Sequence, residues 1–219
     1  MSAAFPQVEM QPVYGVCHYT LRVMFDMFFR GEVAGLENLP KAGGFLLAAN
    51  HASFIDPPMI GCQISRQIAY FARKTLWKGG LSSWWLDSVG TIPVDRDGGQ
   101  DVSAIKRVLR AIKDERGLIL FPEGTRTADG KLQPAKPGVG FIAIKTQVPV
   151  VPVRIFGSFE AFGKGRPLRL GTPVTVVFGA PLAPSFYDDA KAGKDRAQVA
   201  SDRIMAEIAR IERPATTII

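Results

Sequence analysis

The sequence predicts a single α/β domain: a mixed, largely buried sheet flanked by helices and preceded by an amphipathic N-terminal helix. Short apolar runs of the length of buried strands alternate with segments of helical periodicity, which is typical of this class. The 219 residues are enough for one sizeable core. The apolar content of 47% and the even spread of Gly and Pro exclude a disordered or collagen-like chain.

The N-terminal segment at residues 13–29 is densely apolar and aromatic. Its polar residues recur every four positions and so share one narrow helical stripe: His18, Arg22, Asp26 and Arg30. The segment is too short and too charged for a membrane span, and it lacks the cleavage site of a signal peptide. A helix in a membrane interface, which we favour, and a helix packed on the domain remain as alternatives. We therefore divide the chain into an interface helix, residues 1–31, and a domain, residues 32–219.

The first half of the domain alternates strands with helices. Apolar runs bounded by turn residues predict strands at 32–37, 43–49, 68–71 and 90–96, and Pro57 opens a helix over 57–65. Three tryptophans at 77, 84 and 85 suit either a core or an interfacial belt.

The second half continues the alternation and predicts a C-terminal helix. An amphipathic helix over 101–115 precedes a buried strand at 117–121. A helix ending near 146 leads into a strand over 148–156. Residues 168–170 and 174–178 suggest a closing hairpin, and 195–211 form a final amphipathic helix.

The charge and the scarce cysteines and histidines limit the partners. The formal charge of +7, from 27 basic and 20 acidic residues, favours phosphorylated small molecules or acidic lipid headgroups. No basic cluster interleaved with aromatics appears, so we expect no nucleic-acid partner. Two cysteines and two histidines make neither a disulfide framework nor a metal site, and they fit a reducing compartment.

The N-H-A-S-F-I-D stretch at residues 50–56 contains the first candidate catalytic pair. His51 follows a predicted strand, and Asp56 stands where the next helix begins, before Pro57. One tight connection can bring the imidazole and the carboxylate into hydrogen-bonding reach, which prepares a general base. Helix capping alone would also explain Asp56.

Two further groups of polar residues stand at predicted strand ends. The strand 117–121 runs into P-E-G-T-R at 122–126, and ligands of open α/β sheets bind at the carboxyl edge of the strands. Glu123 and Arg126 could instead form an ion pair that braces the loop. Arg73 and Lys74 could bind a phosphate, although a solvated pair is equally plausible.

Four blocks in order carry a family resemblance: N-H-A-S-F-I-D at 50–56, G-T-I-P-V-D-R at 90–96, F-P-E-G-T-R at 121–126 and V-P-V-V-P-V at 148–153. Each block is modest alone, but all four in this order are highly specific. Over roughly residues 32–180 the chain resembles the glycerophospholipid acyltransferases, most closely the bacterial enzymes that act on 1-acylglycerol 3-phosphate.

The resemblance implies a role for each matching residue. His51 matches the general base and Asp56 the acid that orients it. The remaining matches belong to the site for the acceptor's phosphate: Arg96, Glu123, Gly124, Thr125 and Arg126, with Arg73 and Lys74 in a less certain register. The N-terminal helix here is single and short, so the mode of membrane attachment departs from the family's pattern.

The implied reaction moves a fatty acyl group from acyl-CoA or acyl carrier protein to the free hydroxyl of 1-acyl-sn-glycerol 3-phosphate (lysophosphatidic acid), giving phosphatidic acid for phospholipid biosynthesis. A thioester needs no enzyme nucleophile and no resident cofactor, and no Gly-x-Ser-x-Gly elbow is present. Another acceptor, such as glycerol 3-phosphate or a lyso-aminolipid, and a non-catalytic lipid-binding protein are the alternatives. We expect a peripheral or monotopic protein on the cytoplasmic face of the membrane, in contact with anionic lipids.

Overall fold

The computed structural model describes residues 10–94 and 102–215. Its helices are α1 (Pro12–Phe29), α2 (Asp56–Gly61), α3 (Gly80–Ser88), α4 (Val102–Lys113), α5 (Pro137–Thr146), α6 (Ser158–Phe162), α7 (Pro184–Tyr187) and α8 (Arg196–Arg210). Its strands are β1 (Glu32–Ala34), β2 (Phe45–Ala49), β3 (Ile68–Arg73), β4 (Thr91–Val94), β5 (Gly117–Leu120), β6 (Val150–Phe156) and β7 (Thr175–Phe178).

The seven strands form one sheet in the order β1-β7-β6-β2-β5-β3-β4. All neighbouring pairs are parallel except β6 and β7, which are antiparallel, so the predicted mixed sheet is confirmed. The central strand β2 pairs with β5 on one side and β6 on the other. All five of its residues are buried, as a continuous apolar run predicts for a strand covered on both faces.

Two apolar layers cover the two faces of the sheet. Alternate residues of β2 point to opposite faces, so Leu47 joins one layer and Leu46 the other. The Leu47 layer includes residues of α1 and α2, whereas the Leu46 layer is built with α4, α5 and α8. The two helical layers therefore present different surfaces, on opposite sides of the sheet.

Helix α1 is amphipathic in an unexpected orientation. Its buried residues Tyr14, Phe25 and Phe29 belong to the Leu47 layer. Part of the polar stripe turns towards the protein, because His18 and Arg22 are half-buried and Arg22 donates a hydrogen bond to Gln63 just after α2. Asp26 and Arg30 are exposed. The opposite face is apolar and exposed: Val16, Tyr19, Val23 and Met27. Among the described residues, no helix has both the length and the apolar content needed to cross a bilayer.

Replacing Phe25 by Ala tests whether α1 is part of the cooperative core. Phe25 is fully buried, and its ring fills the space where Gly31 lacks a Cβ. We expect Phe25→Ala to lower the free energy of unfolding by about 3–5 kcal/mol, because it leaves a cavity. Met27→Ala, on the exposed face of α1, is the control and should change it by less than about 0.5 kcal/mol. Equal denaturant midpoints for the two variants would exclude α1 from the core.

The structure corrects the predicted C-terminal hairpin. Residues 168–170 form no strand, and Leu168 and Leu170 are exposed. β7 instead takes β6 as its antiparallel partner and β1 as its parallel partner. The strand β6 is longer than the 168–170 stretch, and the segment that pairs with β7 includes the buried Val153 and Ile155. The predicted helix over 57–65 is also shorter, since α2 ends at Gly61.

Candidate active site

The imidazole of His51 and the carboxylate of Asp56 meet at the carboxyl end of the central strand. His51 lies two residues beyond the end of β2, and Asp56 is the first residue of α2, followed by two prolines that fix the helix start. His51 Nδ1 lies 2.9 Å from Asp56 Oδ2. The hydrogen-bonding reach predicted from the five-residue spacing is therefore present.

The surroundings of Asp56 determine which nitrogen of the imidazole carries the proton. The same Oδ2 accepts the backbone N–H groups of Ala52 and Ser53, each at 2.6 Å, and the side chain is fully buried. Since a carboxylate oxygen accepts, His51 must donate from Nδ1. Nε2 is then the nitrogen that can take a proton from a substrate.

The F-P-E-G-T-R block and the next residue, Thr127, hold the backbone of His51. Glu123 Oε1 accepts the N–H of His51 at 2.8 Å, and the carbonyl of His51 accepts the N–H of Thr127 at 2.9 Å. The Phe121 ring stacks on the imidazole, with 4.0 Å between the ring centroids. Two stretches about 72 residues apart thus hold the backbone and the ring of His51.

Glu123 is a buried brace in this geometry. The residue is only 2% exposed. Its second carboxylate oxygen accepts the N–H of Gln133 at 3.2 Å. Burial raises the pKa of the Glu123 carboxyl, while the bonds from His51 and Gln133 lower it. The alternative ion pair with Arg126 does not form within the described part of the chain. A direct contact of Glu123 with a phosphate stays a prediction, and the like charge of the two groups opposes it.

Arg126 presents an unsatisfied cation beside the catalytic pair. Its guanidinium carbon lies 3.2 Å from the centroid of the Phe54 ring, a cation–π contact. Nη1 is buried and has no hydrogen-bond partner among the described residues. Burial lowers the pKa of Arg126, and the nearby charge of Asp56 partly offsets this. A guanidinium with a free donor is suited to bind an anionic group.

A cavity of about 480 Å³ opens beside His51. Gly124 and Lys136 line its polar part, and Phe71, Val94 and Ile142 line part of its apolar wall. Gly124 has a φ of +69°, and a Cβ there would lie 3.0 Å from the Lys136 side chain. This position therefore favours glycine for both conformation and space. Thr125 is exposed on the same loop.

A second cavity, of about 380 Å³, lies between α1, α2 and α3. Its lining is almost wholly apolar and includes Leu21, Cys62 and Trp85. Pro57 and Tyr70 border both cavities, so the second cavity adjoins the His51 cavity. Burial raises the pKa of the Cys62 thiol to about 12, which makes it a poor nucleophile.

The remaining predicted phosphate-site residues lie farther along the sheet edge or outside the described residues. Arg73 ends β3, Lys74 opens the short turn that follows, and both side chains are exposed. Neither lines the His51 cavity, although Arg73 is the sheet partner of Val94, which does. Arg96 lies outside the described residues.

Several residues of the site were not identified from the sequence. Asn50 bonds both the N–H and the carbonyl of Ile155 and ties β2 to β6. The Ser53 hydroxyl donates to the carbonyl of Phe162 at 2.6 Å. Asn50, Ser53 and Phe54 all lie within the N-H-A-S-F-I-D stretch, which was the available signal. Lys136, which lines the His51 cavity, lies outside that stretch, and no pattern in the sequence pointed to it.

Comparisons with known proteins identify a family for the chain. Residues 30–156 match the acyltransferase family. A 1-acyl-sn-glycerol-3-phosphate acyltransferase of Bacillus subtilis is 29% identical over 171 residues, 78% of this chain and 82% of that protein. A chloroplast protein of the same name from Brassica napus is 32% identical over 140 residues, 63% of this chain. The chain spans about two fifths of the length of that plant relative.

A solved structure shares the fold over most of its length. The crystal structure of the 1-acyl-sn-glycerophosphate acyltransferase PlsC from Thermotoga maritima superposes with a TM-score of 0.69 at 28% identity. The match covers 91% of this chain and 81% of that one. The family match takes in both the His51–Asp56 pair and the Glu123–Arg126 loop. The chain belongs to the acyltransferase family.

Proposed function

We propose that the protein transfers a fatty acyl group from a thioester to the free hydroxyl of lysophosphatidic acid, giving phosphatidic acid. The observation that carries the proposal is the His51–Asp56 pair, in which Asp56 bonds Nδ1 of the imidazole and His51 lines an open cavity. A protein that only bound lipid would have no need of a base prepared in this way. The names of the similar proteins, and the large share of each chain that the matches cover, support this acceptor.

In the proposed reaction, His51 Nε2 takes the proton of the acceptor hydroxyl as the oxygen attacks the thioester carbonyl. Asp56 holds the imidazole in position and stabilises the imidazolium that forms. The C–S bond then breaks, and the imidazolium returns its proton to the departing thiolate. One ester forms, one thioester is consumed, and His51 ends in its starting state.

We assign the phosphate of the acceptor to a site by its charge, and the acyl chain to a cavity by its lack of polarity. Arg126, with its unpaired Nη1, binds the phosphate near the loop of Gly124 and Thr125. The apolar cavity between α1 and α3 accepts an acyl chain, because it offers almost no polar surface to solvate one. The shared border at Pro57 and Tyr70 keeps that chain next to His51.

A panel of acceptors tests the proposal. Thiol release from palmitoyl-CoA and from palmitoyl-acyl carrier protein is measured with lysophosphatidic acid, glycerol 3-phosphate and a lyso-aminolipid. We expect release that depends on lysophosphatidic acid and forms phosphatidic acid. Faster turnover with glycerol 3-phosphate or the lyso-aminolipid would reassign the acceptor, and no release with any of them would favour the lipid-binding alternative.

Replacing Arg126 by Ala should weaken use of the phosphorylated acceptor. We expect kcat/KM for lysophosphatidic acid to fall by the equivalent of about 2–5 kcal/mol, with KM for the donor little changed. Arg166→Ala is a matched control, because Arg166 is an exposed arginine stacked on Phe159. Monoacylglycerol, which has no phosphate, provides the second comparison. An equal loss with both acceptors would make Arg126 a structural residue.

We further propose that the protein binds a membrane surface through α1 and α3. The α1–α3 apolar surface consists of exposed side chains of α1 and of the segment around α3: Val16, Tyr19, Val23, Met27, Leu76, Leu81, Trp84 and Trp85. Burying such an area in lipid is favourable by about 25 cal/mol per Å². It also places the opening between α1 and α3 against the lipid that holds the acceptor. The cytoplasmic face remains our expectation for the location.

Charge on the exposed face of α1 should detach the protein from membranes. We expect Val23→Glu/Met27→Glu to abolish flotation with phosphatidylglycerol-containing liposomes, because two carboxylates would have to enter the interface. Phe186→Glu, an exposed apolar residue of α7, is the control and should float normally. Activity on detergent-dispersed substrate should survive in both variants. Normal flotation of the α1 variant would move the membrane contact elsewhere.

A further inference from the structure

Helix α4 carries a row of positive charge that has little compensation among the described residues. Its twelve residues include four basic side chains and no acidic one: Lys106, Arg107, Arg110 and Lys113. All four are exposed, and we call them the basic ridge. Only Arg110 forms an ion pair within the described residues, with Asp114 at 3.6 Å, and that pair is largely in solvent. Such a pair neutralises little of the row.

The basic ridge lies on the face of the sheet opposite to α1. Helix α4 packs through Val108 and Ala111 into the Leu46 layer, whereas α1 covers the Leu47 layer. When the α1–α3 apolar surface contacts lipid, the basic ridge therefore faces away from the bilayer. A soluble macromolecule can reach it there without competing with the membrane.

The ridge approaches the His51 cavity at Arg107. This side chain donates to the carbonyl of Pro93 in β4, at 3.3 Å, and the next residue, Val94, lines the cavity that contains His51. Lys106, Arg107 and Arg110 themselves line a separate cleft of about 410 Å³, together with Arg116 and the acidic Asp114. The ridge is therefore one residue removed from the wall of the His51 cavity.

We propose that the basic ridge docks an acidic acyl carrier protein, which delivers the acyl thioester into the His51 cavity from the aqueous side. This inference rests on the proposed function. The ridge spans eight residues of one helix, 106–113, or about 10 Å along its axis. An exposed linear row of this kind matches the acidic face of another helix better than a compact nucleotide phosphate, which needs converging donors. A thioester on a flexible prosthetic arm can then reach the His51 cavity past Val94.

Charge reversal at the ridge tests this docking. Lys106→Glu/Arg110→Glu is compared with Lys191→Glu/Lys194→Glu, which makes the same charge change at two exposed lysines before α8. With detergent-dispersed lysophosphatidic acid, we expect the ridge variant to lose about tenfold or more in kcat/KM for palmitoyl-acyl carrier protein. For palmitoyl-CoA its value should stay within about twofold of that of the control variant. Added salt should weaken the native use of the carrier protein.

Direct binding separates this inference from the proposed reaction. Fluorescence anisotropy with labelled holo-acyl carrier protein needs no turnover, and we expect the ridge variant alone to lose binding. If the native protein does not bind, or if both donors are lost equally in the ridge variant, the docking surface is wrong. The docking surface is also wrong if the ridge variant still binds the carrier protein but no longer binds phosphatidylglycerol-containing liposomes. Absence of transfer from both donors by the native protein would overturn the proposed function, whereas specific binding would still support the docking surface.

Discussion

His51→Ala is expected to lower kcat by about 10²–10⁴-fold while the fold stays intact. The variant removes the only group that can take the acceptor's proton in the proposed reaction. It keeps the backbone N–H and carbonyl that bond Glu123 and Thr127. Because the imidazole is only 17% exposed and bonds the buried Asp56, its loss should lower the thermal midpoint without unfolding the protein.

Single-turnover acyl transfer, near-UV circular dichroism and the thermal midpoint are measured together. Native spectra with a large loss of turnover would support the general base. Near-normal turnover in a natively folded His51→Ala variant would falsify the assignment.

Asp56→Asn is expected to lower kcat by a similar order, through the tautomer of the imidazole. An amide that keeps its oxygen towards the N–H groups of Ala52 and Ser53 can still orient the ring, but it cannot stabilise the imidazolium as a carboxylate does. If the amide rotates instead, its NH₂ group faces those two donors, and Nδ1 of His51 becomes an acceptor. Nε2 then carries the proton and cannot act as a base.

Asp202→Asn, on the exposed surface of α8, provides the same chemical change away from the site and should leave kcat unchanged. KM for the acceptor distinguishes a role of Asp56 in catalysis from a role in substrate binding. We expect this KM to change little in Asp56→Asn. A large rise in KM with unchanged kcat would indicate that Asp56 shapes the binding site instead.

Local features of the site were predictable because they depend on short spacings. The approach of His51 to Asp56 follows from a strand end and a helix start five residues apart. The helical periodicity of residues 13–29 likewise predicted α1 and grouped its polar residues on one stripe.

Long-range features could not be read from periodicity. A stripe on α1 does not reveal which way it faces, and the bond from Arg22 to Gln63 shows that only part of it turns inward. Similarly, the buried carboxylate of Glu123 bonds a backbone N–H distant in sequence, and no spacing rule predicts that pairing. The misassigned hairpin has the same origin, because the partner of β7 is decided by competition among distant strands.

The hydrogen bonds that Glu123 and Thr127 make to the backbone of His51 affect when the site can form during synthesis. The N-H-A-S-F-I-D stretch leaves the ribosome well before the loop that bonds both backbone groups of His51. A nascent chain that ends before β5 has the imidazole and Asp56 but lacks the segment that fixes their backbone. Closing so long a loop is slow and occurs only as the central strands pair. We therefore expect the backbone of His51 to become fixed only when β5 has paired with β2.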